Sequence, residues 1–219
     1  NRVVAIFLLL GTANLFSQHT FSIVAVDTLT GEIGSAGATC GDSIIWPGTP
    51  GAYIISDILP GVGAFDATMQ QLIDSGLKEE LNKLVLDKKV PILGICVGLQ
   101  VMGFGSEEGK LPGLGWIPGK VKKFDESKIE IKPKLPHMGW NEISWQCSHK
   151  ILEGISKNTD FYFVHSYFVK PSDTSSVGST EYGVAFCSAL ESNNVYGTQF
   201  HPEKSSKAGR KILENFSNL

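Results

Sequence analysis

The sequence predicts an α/β fold, and two stretches in its middle carry that prediction. Residues 90–95 are apolar and short enough for a buried strand, and the chain then passes through Cys96 into residues typical of a helix. Residues 66–89 carry apolar side chains at helical spacing, with an interruption at residues 75–76. We therefore expect two consecutive helices packed on a sheet, followed by a buried strand, a sharp turn and a third helix.

The C-terminal third supplies the other predicted strands and a last helix. Residues 161–167 alternate as a strand, and residues 183–190 and 194–200 form a hairpin-like pair. Ser205 follows, and its side chain is suited to cap a closing helix. The apolar face of that helix is expected to consist of Ala208, Ile212, Leu213 and Phe216.

Length, net charge and cysteine spacing limit the kinds of function that are expected. The 219 residues suffice for one sizeable core, and a net charge of −3 offers no basic excess for a nucleic-acid backbone. The four cysteines are too scattered for a disulfide framework. Cys147 and His149 have the spacing of a metal-ligand pair but no second pair nearby, so a plain loop is favoured. We expect no metal, no nucleic acid and no membrane.

Cys96 has the surroundings of a catalytic nucleophile. Gly94 and Gly98 stand two residues on either side of it, as in nucleophile elbows, where small residues let strand and helix pack closely around a strained central residue. A helix N-terminus favours thiolate over thiol, and the N–H of Val97 is placed to donate to an oxyanion. On this pattern alone, a buried cysteine in an ordinary turn is about as good an interpretation.

A base for this thiol is available near the C-terminus. His201 ends an apolar strand and is fixed by Pro202, so its imidazole can take the thiol proton. Glu203 can hold the other ring nitrogen and set the tautomer. A lone His-Pro-Glu is more often a surface turn, but paired with the cysteine elbow it predicts a triad of Cys96, His201 and Glu203.

Together these segments resemble the class I (triad) glutamine amidotransferases, which hydrolyse the side-chain amide of glutamine. Further segments make the chain similar to the family of glutaminase subunits of imidazole glycerol phosphate synthase, the histidine-biosynthesis enzyme; they lie at 60–65, 106–109, 113–119, 136–141, 161–167 and 197–205. The resemblance covers residues 59–219. It implies a doubly wound, mostly parallel sheet of the flavodoxin-like type, with the family's first strand and helix atypical or missing.

The resemblance also implies roles for residues around the triad. Val97 and either Val62 or Gly63 would donate the oxyanion hydrogen bonds. The expected contacts of bound glutamine are Gln100, Glu108, Tyr162, His165, Ser166 and Tyr167. Without the resemblance, residues 60–63 are better interpreted as an ordinary turn, and Gln100 and Glu108 as solvated polar residues.

One protein partner and no cofactor are implied. Ammonia would pass into a (β/α)₈ cyclase subunit of imidazole glycerol phosphate synthase, within a cytoplasmic heterodimer. The resemblance implies that His137, Met138, Trp140 and Asn141 face this cyclase, and Trp and Met are residue types favoured at interfaces. We place residues 137–141 in a loop between short strands within 121–131 and at Ile143; a tryptophan packed on its own core is the alternative.

The first 58 residues do not fit this family. Residues 1–18 have a basic residue, a short apolar run and smaller polar residues, which is typical of an export signal and conflicts with a cytoplasmic location; a buried first strand is the alternative. Residues 19–58 begin with a strand at 20–27, a turn closed by Gly31 and a second strand, and resemble a secreted family related to N-terminal-nucleophile hydrolases. The strand at 20–27 is the candidate for the missing first strand.

We interpret residues 59–65 as a junction of two unrelated sequences, joined by gene fusion or by sequence assembly. The predicted organisation is therefore a signal-like segment at 1–18, a non-matching block at 19–58 and an amidotransferase domain at 59–219. Two alternatives to the histidine-pathway glutaminase stay open. One is a glutaminase that serves a different synthase, and the other is a chimeric or exported protein with an incomplete, inactive amidotransferase domain.

Overall fold

The computed structural model describes residues 65–219 except Cys147, and the backbone of five strands closer to the N-terminus. These strands are β1 (Val3–Ile6), β2 (Phe21–Asp27), β3 (Ile33–Ala38), β4 (Ser43–Trp46) and β5 (Tyr53–Ile55). The predictions for Val62, Gly63 and Cys147, and for most of the signal-like segment, lie outside the described residues.

Strands β1 to β4 form a sheet of their own. Each strand pairs antiparallel with the next one along the chain, and β2 and β3 make the strand pair that was predicted around Gly31. β2 pairs with β1 and β3, so within the part of the chain that the structure describes it does not supply a first strand to the sheet that carries Cys96.

The remaining elements follow in chain order. They are α1 (Phe65–Asp74), α2 (Leu77–Asn82), a π-helical turn (Lys83–Asp87), β6 (Ile92–Ile95), α3 (Val97–Val101), β7 (Gly119–Lys123), β8 (His137–Glu142), β9 (Asp160–His165), β10 (Tyr167–Pro171), β11 (Ser176–Tyr182), β12 (Val184–Ser192), β13 (Val195–Thr198) and α4 (Ser206–Ser217). Among the described residues, no helix is both long and apolar enough to cross a membrane.

The sheet that carries Cys96 has the strand order β11-β12-β13-β6-β5. Strands β5, β6 and β13 pair parallel with one another, whereas β12 pairs antiparallel with β13, and β11 pairs antiparallel with β12. The sheet is therefore mixed, with its parallel part confined to three neighbouring strands. Because the carboxyl ends of parallel strands meet at one edge, whatever follows β6 and β13 is brought together there.

Both faces of this sheet are covered, as a doubly wound fold requires. Successive residues of β6 enter two different cores, since Ile92 packs in the cluster that contains α1 and α3 while Leu93 packs in the cluster that contains α4. Val195 and Tyr196 divide in the same way on β13. The doubly wound α/β fold is confirmed.

The predicted helices are confirmed, with one correction at the last of them. Gly76, whose φ of 72° is left-handed, separates α1 from α2, and α4 buries the expected apolar face. Ser205 does occupy the N-cap position, but its hydroxyl makes no capping hydrogen bond. The hydroxyl instead donates to the His201 carbonyl at 2.6 Å and accepts from the Tyr162 N–H at 2.9 Å, so it connects the strand and the histidine.

The loop predicted at residues 137–141 is wrong, because this segment is strand β8. It pairs antiparallel with β9, with His137 opposite His165 and Trp140 opposite Tyr162. Odd-numbered positions turn inward and even-numbered positions outward, which is the period of a strand. The predicted strand at residues 161–167 is also divided, because the chain bends at Ser166 between β9 and β10.

Candidate active site

Cys96 occupies the strained turn that its sequence predicts. It lies between β6 and α3 with φ 53° and ψ −111°, a left-handed conformation that is rare for a residue with a side chain. A Cβ atom on Gly94 would lie 2.6 Å from the backbone nitrogen of Leu99, so only glycine allows the strand and helix to approach this closely. The elbow geometry is confirmed.

The helix after the cysteine is short. α3 contains five residues, and Val97 is the first of them. The N–H groups of a helix's first turn have no acceptor within the helix, which suits Val97 to donate to an oxyanion. Its role stays a prediction, and the second expected donor, Val62 or Gly63, falls outside the described residues.

His201 and Glu203 form a hydrogen-bonded pair. His201 is buried, and its Nδ1 lies 2.7 Å from Oε1 of Glu203. Burial opposes ionisation of Glu203, but the charge and hydrogen bond of His201 outweigh this effect and lower the pKa of the carboxyl group. An ionised Glu203 accepts the Nδ1 proton of His201, which leaves Nε2 as the ring nitrogen that can act as a base.

The sheet register brings the cysteine and this pair to one edge. Ile95 and Thr198 are opposite each other at the ends of parallel strands, and the N–H of Cys96 donates to the Thr198 carbonyl at 2.8 Å. Strand β9 borders both: Sγ of Cys96 lies 3.9 Å from the Val164 carbonyl, and the N–H of His201 donates to the Tyr162 carbonyl at 2.9 Å. The sulfur of Cys96 and the backbone of His201 therefore adjoin the same short stretch of β9.

Gln199 is a site residue to which the sequence analysis assigned no role. Its side chain is fully buried, and Nε2 lies 3.6 Å from Sγ of Cys96. The signal was present in the sequence, because a large amide at the end of an apolar strand, two residues before His201, needs buried hydrogen-bond partners.

His165 was expected to contact glutamine, and the structure places it in a buried histidine pair. Its Nε2 lies 3.0 Å from Nδ1 of His137, and its own Nδ1 lies 2.8 Å from the Tyr167 carbonyl. Burial lowers the pKa of His137 to about 4. Burial, reinforced by the neighbouring His137, lowers the pKa of His165 to about 3. Both rings are therefore neutral near pH 7.

The His137–His165 pair makes the folding stability of the chain depend on pH. In the unfolded chain these two histidines bind protons near pH 6.5, whereas in the folded chain they stay neutral at that pH. Their contribution to the free energy of unfolding is therefore complete above pH 6.5 and is lost as the pH falls toward 4. We expect the free energy of unfolding to fall by a few kcal/mol from pH 7 to pH 5. His165→Gln should reduce this slope in denaturant titrations at each pH, and His149→Gln, which changes a more exposed histidine, should keep it. Equal slopes in wild type and His165→Gln would contradict the assignment.

The other expected glutamine contacts are spread around this edge. Gln100 is buried, and its Nε2 donates to the Tyr167 carbonyl at 2.9 Å and to Oε1 of Gln199 at 3.2 Å. Glu108 accepts the N–H of Phe65 at 3.0 Å, which fixes the loop after α3 to the start of α1. Their substrate roles stay predictions.

Of the three remaining expected contacts, Ser166 and Tyr167 line an open cleft of about 660 Å³, whereas Tyr162 lies on β9 opposite Trp140. The rest of that cleft is formed largely by residues 132–136, and neither Cys96 nor His201 belongs to its lining. Among the described residues, no cluster of three histidine, cysteine or acidic side chains could hold a metal ion.

The four residues expected at the partner surface divide by burial. Met138 and Trp140 on β8 are exposed by 62% and 53%, and the Trp140 ring meets the edge of Tyr162 with centroids 6.0 Å apart. His137 points the other way and is 3% exposed, so its side chain is not available to a partner. Asn141 is half-buried and donates to the Glu181 carbonyl at 3.1 Å.

Comparisons with known proteins agree with this architecture. The family model described as Glutamine amidotransferase class-I matches residues 42–218. The chain is 45% identical over 163 residues to imidazole glycerol phosphate synthase subunit HisH of Leptospira borgpetersenii, covering 74% of this chain and 80% of the relative. It is 50% identical over 163 residues to the HisH subunit of Methanocaldococcus jannaschii, covering 74% and 79%.

Solved structures show the same fold at lower identity. A glutamine amidotransferase crystal structure matches with a TM-score of 0.55 and 15% identity, covering 77% of this chain and 79% of that one. A chain of PurLQS from Thermotoga maritima matches with a TM-score of 0.51 and 17% identity, covering 75% and 78%. The family match spans most of the sequence and includes the elbow and the His-Pro-Glu turn. The chain therefore belongs to the class I glutamine amidotransferases, among the relatives of the HisH subunits.

Proposed function

We propose that this chain hydrolyses the side-chain amide of glutamine to glutamate and ammonia, with Cys96 as nucleophile, His201 as base and Glu203 as the residue that orients it. One observation carries the proposal: Cys96 in its strained elbow and the hydrogen-bonded His201–Glu203 pair follow two adjacent parallel strands and border the same stretch of β9. A nucleophile, a base and an orienting carboxylate at one sheet edge are the parts that covalent hydrolysis needs.

In the proposed reaction, Sγ of Cys96 attacks the γ-carboxamide carbon while its proton passes to Nε2 of His201. The oxyanion of the tetrahedral intermediate accepts the N–H of Val97, together with a donor from residues 60–63. His201 then returns its proton to the leaving nitrogen, so ammonia departs and a thioester to Cys96 remains. Water, deprotonated by His201, attacks the thioester and releases glutamate and the thiol.

We also propose a protein partner, the cyclase subunit of imidazole glycerol phosphate synthase, in a cytoplasmic heterodimer that makes imidazole glycerol phosphate for histidine biosynthesis. The curated relatives are named as HisH subunits of that synthase. Support from the surface is the exposed pair Met138 and Trp140, whose strand pairs with β9, the strand that borders Cys96 and His201. Ammonia released there would enter a partner docked on this face without crossing solvent.

Trp140→Ala tests this partner surface. Aromatic anchors at interfaces typically contribute on the order of 2 kcal/mol or more, so we expect cyclase affinity to fall at least about tenfold. Affinity is measured by titration calorimetry with the purified cyclase subunit. Phe104→Ala is the matched control, because Phe104 is equally exposed but lies on the loop after α3. Undiminished affinity in Trp140→Ala would remove β8 from the interface.

The glutaminase assay also separates the candidate partners. Wild type is incubated with glutamine, the cyclase subunit and the cyclase's own phosphorylated substrate, and both glutamate and imidazole glycerol phosphate are followed. Formation of both products supports the histidine-pathway assignment. Glutamate without the cyclase product would indicate a glutaminase that serves another synthase, and no glutamate under any of these conditions would refute the proposal.

A further inference from the structure

The Tyr167 carbonyl fixes the direction of a hydrogen-bond chain that reaches the sulfur of Cys96. A carbonyl can only accept, so the Gln100 side-chain atom 2.9 Å from it must be the amide nitrogen. That same nitrogen lies 3.2 Å from an atom of Gln199, which must then be the acceptor Oε1. The other terminal atom of Gln199 is therefore its NH₂ group, and it faces Sγ at 3.6 Å.

The Tyr167 carbonyl also fixes the direction of the hydrogen bonds on its other side, which run through His165. His165 Nδ1 lies 2.8 Å from it and must donate, which leaves His165 Nε2 as an acceptor for Nδ1–H of His137. His137 Nε2 is then an acceptor, and the Asn141 amide lies 3.3 Å from it with its nitrogen. Gln100 is held in one orientation by the Tyr167 carbonyl, so the Gln199 amide cannot flip without losing its hydrogen bond to Gln100.

We propose that Gln199 is a catalytic residue that donates a hydrogen bond to Sγ of Cys96 and stabilises its thiolate, with Gln100 as the positioning residue that keeps this donor aimed at the sulfur. A donor next to sulfur favours the charged form over the neutral one. This hydrogen bond adds to the stabilisation that the thiolate receives from the N-terminus of α3, a helix of only five residues. The catalytic role of Gln199 rests on the proposed function, but the fraction of Cys96 that is thiolate can be measured without substrate.

The test is the pH dependence of Cys96 alkylation by iodoacetamide, followed on the Cys96 peptide by mass spectrometry. Iodoacetamide reacts with thiolate, so the rate follows the titration of the sulfur. Gln199→Met removes the donor at similar volume, and we expect the inflection to move up by about one pH unit, with about tenfold slower alkylation at pH 7. Gln199→Glu places a carboxylate beside the sulfur, and the inflection should move further in the same direction.

Gln70→Met is the matched control, since Gln70 is exposed on α1 and bonded to Asp74. Its alkylation profile should be that of wild type. A Gln199→Met profile that coincides with wild type overturns the inference, whether or not glutamine is hydrolysed. A shifted profile in a chain without glutaminase activity would keep the hydrogen bond and refute only the proposed reaction.

A second measurement needs no change at Gln199 and so does not depend on how its variants fold. In ¹⁵N-labelled wild-type chain, the side-chain NH₂ resonance of Gln199 should shift with the same pH midpoint as the alkylation of Cys96. The shift should vanish in Cys96→Ala. A Gln199 resonance that is constant across the alkylation midpoint would contradict the proposed contact with the thiolate.

Discussion

Cys96→Ala should abolish glutamate formation, with a loss of about 10⁴-fold or more in kcat. Without the thiol no thioester forms, and the remaining hydrogen-bond donors cannot replace a covalent step. The measurement is glutamate release in the presence of the cyclase subunit, with thermal unfolding to check the fold. Alanine fits the space of the thiol in the elbow and leaves Gly94 and Gly98 unchanged, so the variant should remain folded.

Cys187→Ala is the control for this variant. Cys187 is also buried, but it lies on β12, where burial raises the pKa of its thiol to about 11. Such a thiol is inert at neutral pH. We expect wild-type turnover in Cys187→Ala. Substantial glutamate release by Cys96→Ala, or its loss in Cys187→Ala alone, would show that Cys96 is not the nucleophile.

Glu203→Gln should have the second largest effect, a loss of about 10²–10⁴-fold in kcat with little change in affinity for glutamine. The substitution keeps the size of the side chain but removes the carboxylate that accepts the Nδ1 proton of His201 at 2.7 Å. A glutamine amide can donate to Nδ1 and so favour the wrong tautomer of the imidazole. Steady-state kinetics separate the two parameters.

Glu191→Gln provides a matched control for this carboxylate. Glu191 also lies beside a histidine, with Oε2 at 3.8 Å from Nδ1 of His149, and it is similarly half-buried. We expect the kcat of Glu191→Gln to equal that of wild type. Because the pKa of the Glu203 carboxyl is held below its usual value, wild-type activity at neutral pH should not decline through protonation of this group. Equal activity of Glu203→Gln and wild type would remove this residue from the triad.

Much of the fold could be predicted because local patterns determined it. The helical spacing around residues 75–76 gave α1 and α2, and the glycines around Cys96 gave the elbow. The hairpin of β12 and β13 was also predicted. The parallel pairing of β13 with β6 could not be predicted in the same way, because it depends on contacts between residues about a hundred positions apart, which single-strand periodicity does not contain.

The errors arose where one residue type suits two environments. Residues 137–141 contain a glycine and an asparagine, which are typical of loops, yet β9 pairs with them and buries His137. Ser205 is placed as a cap, but the Tyr162 N–H and the His201 carbonyl compete for its hydroxyl. Gln199 was overlooked because its partners, Gln100 and Cys96, are about a hundred residues away in sequence.

A glutamine analogue with an electrophilic carbon in place of the amide measures most directly whether Cys96 and His201 share one glutamine-specific site. Mass spectrometry of the labelled chain should show one adduct, on Cys96, that excess glutamine prevents and that forms far more slowly in His201→Ala. Labelling that is indifferent to glutamine and to His201→Ala, or that falls on another residue, would contradict the single site at the ends of β6 and β13.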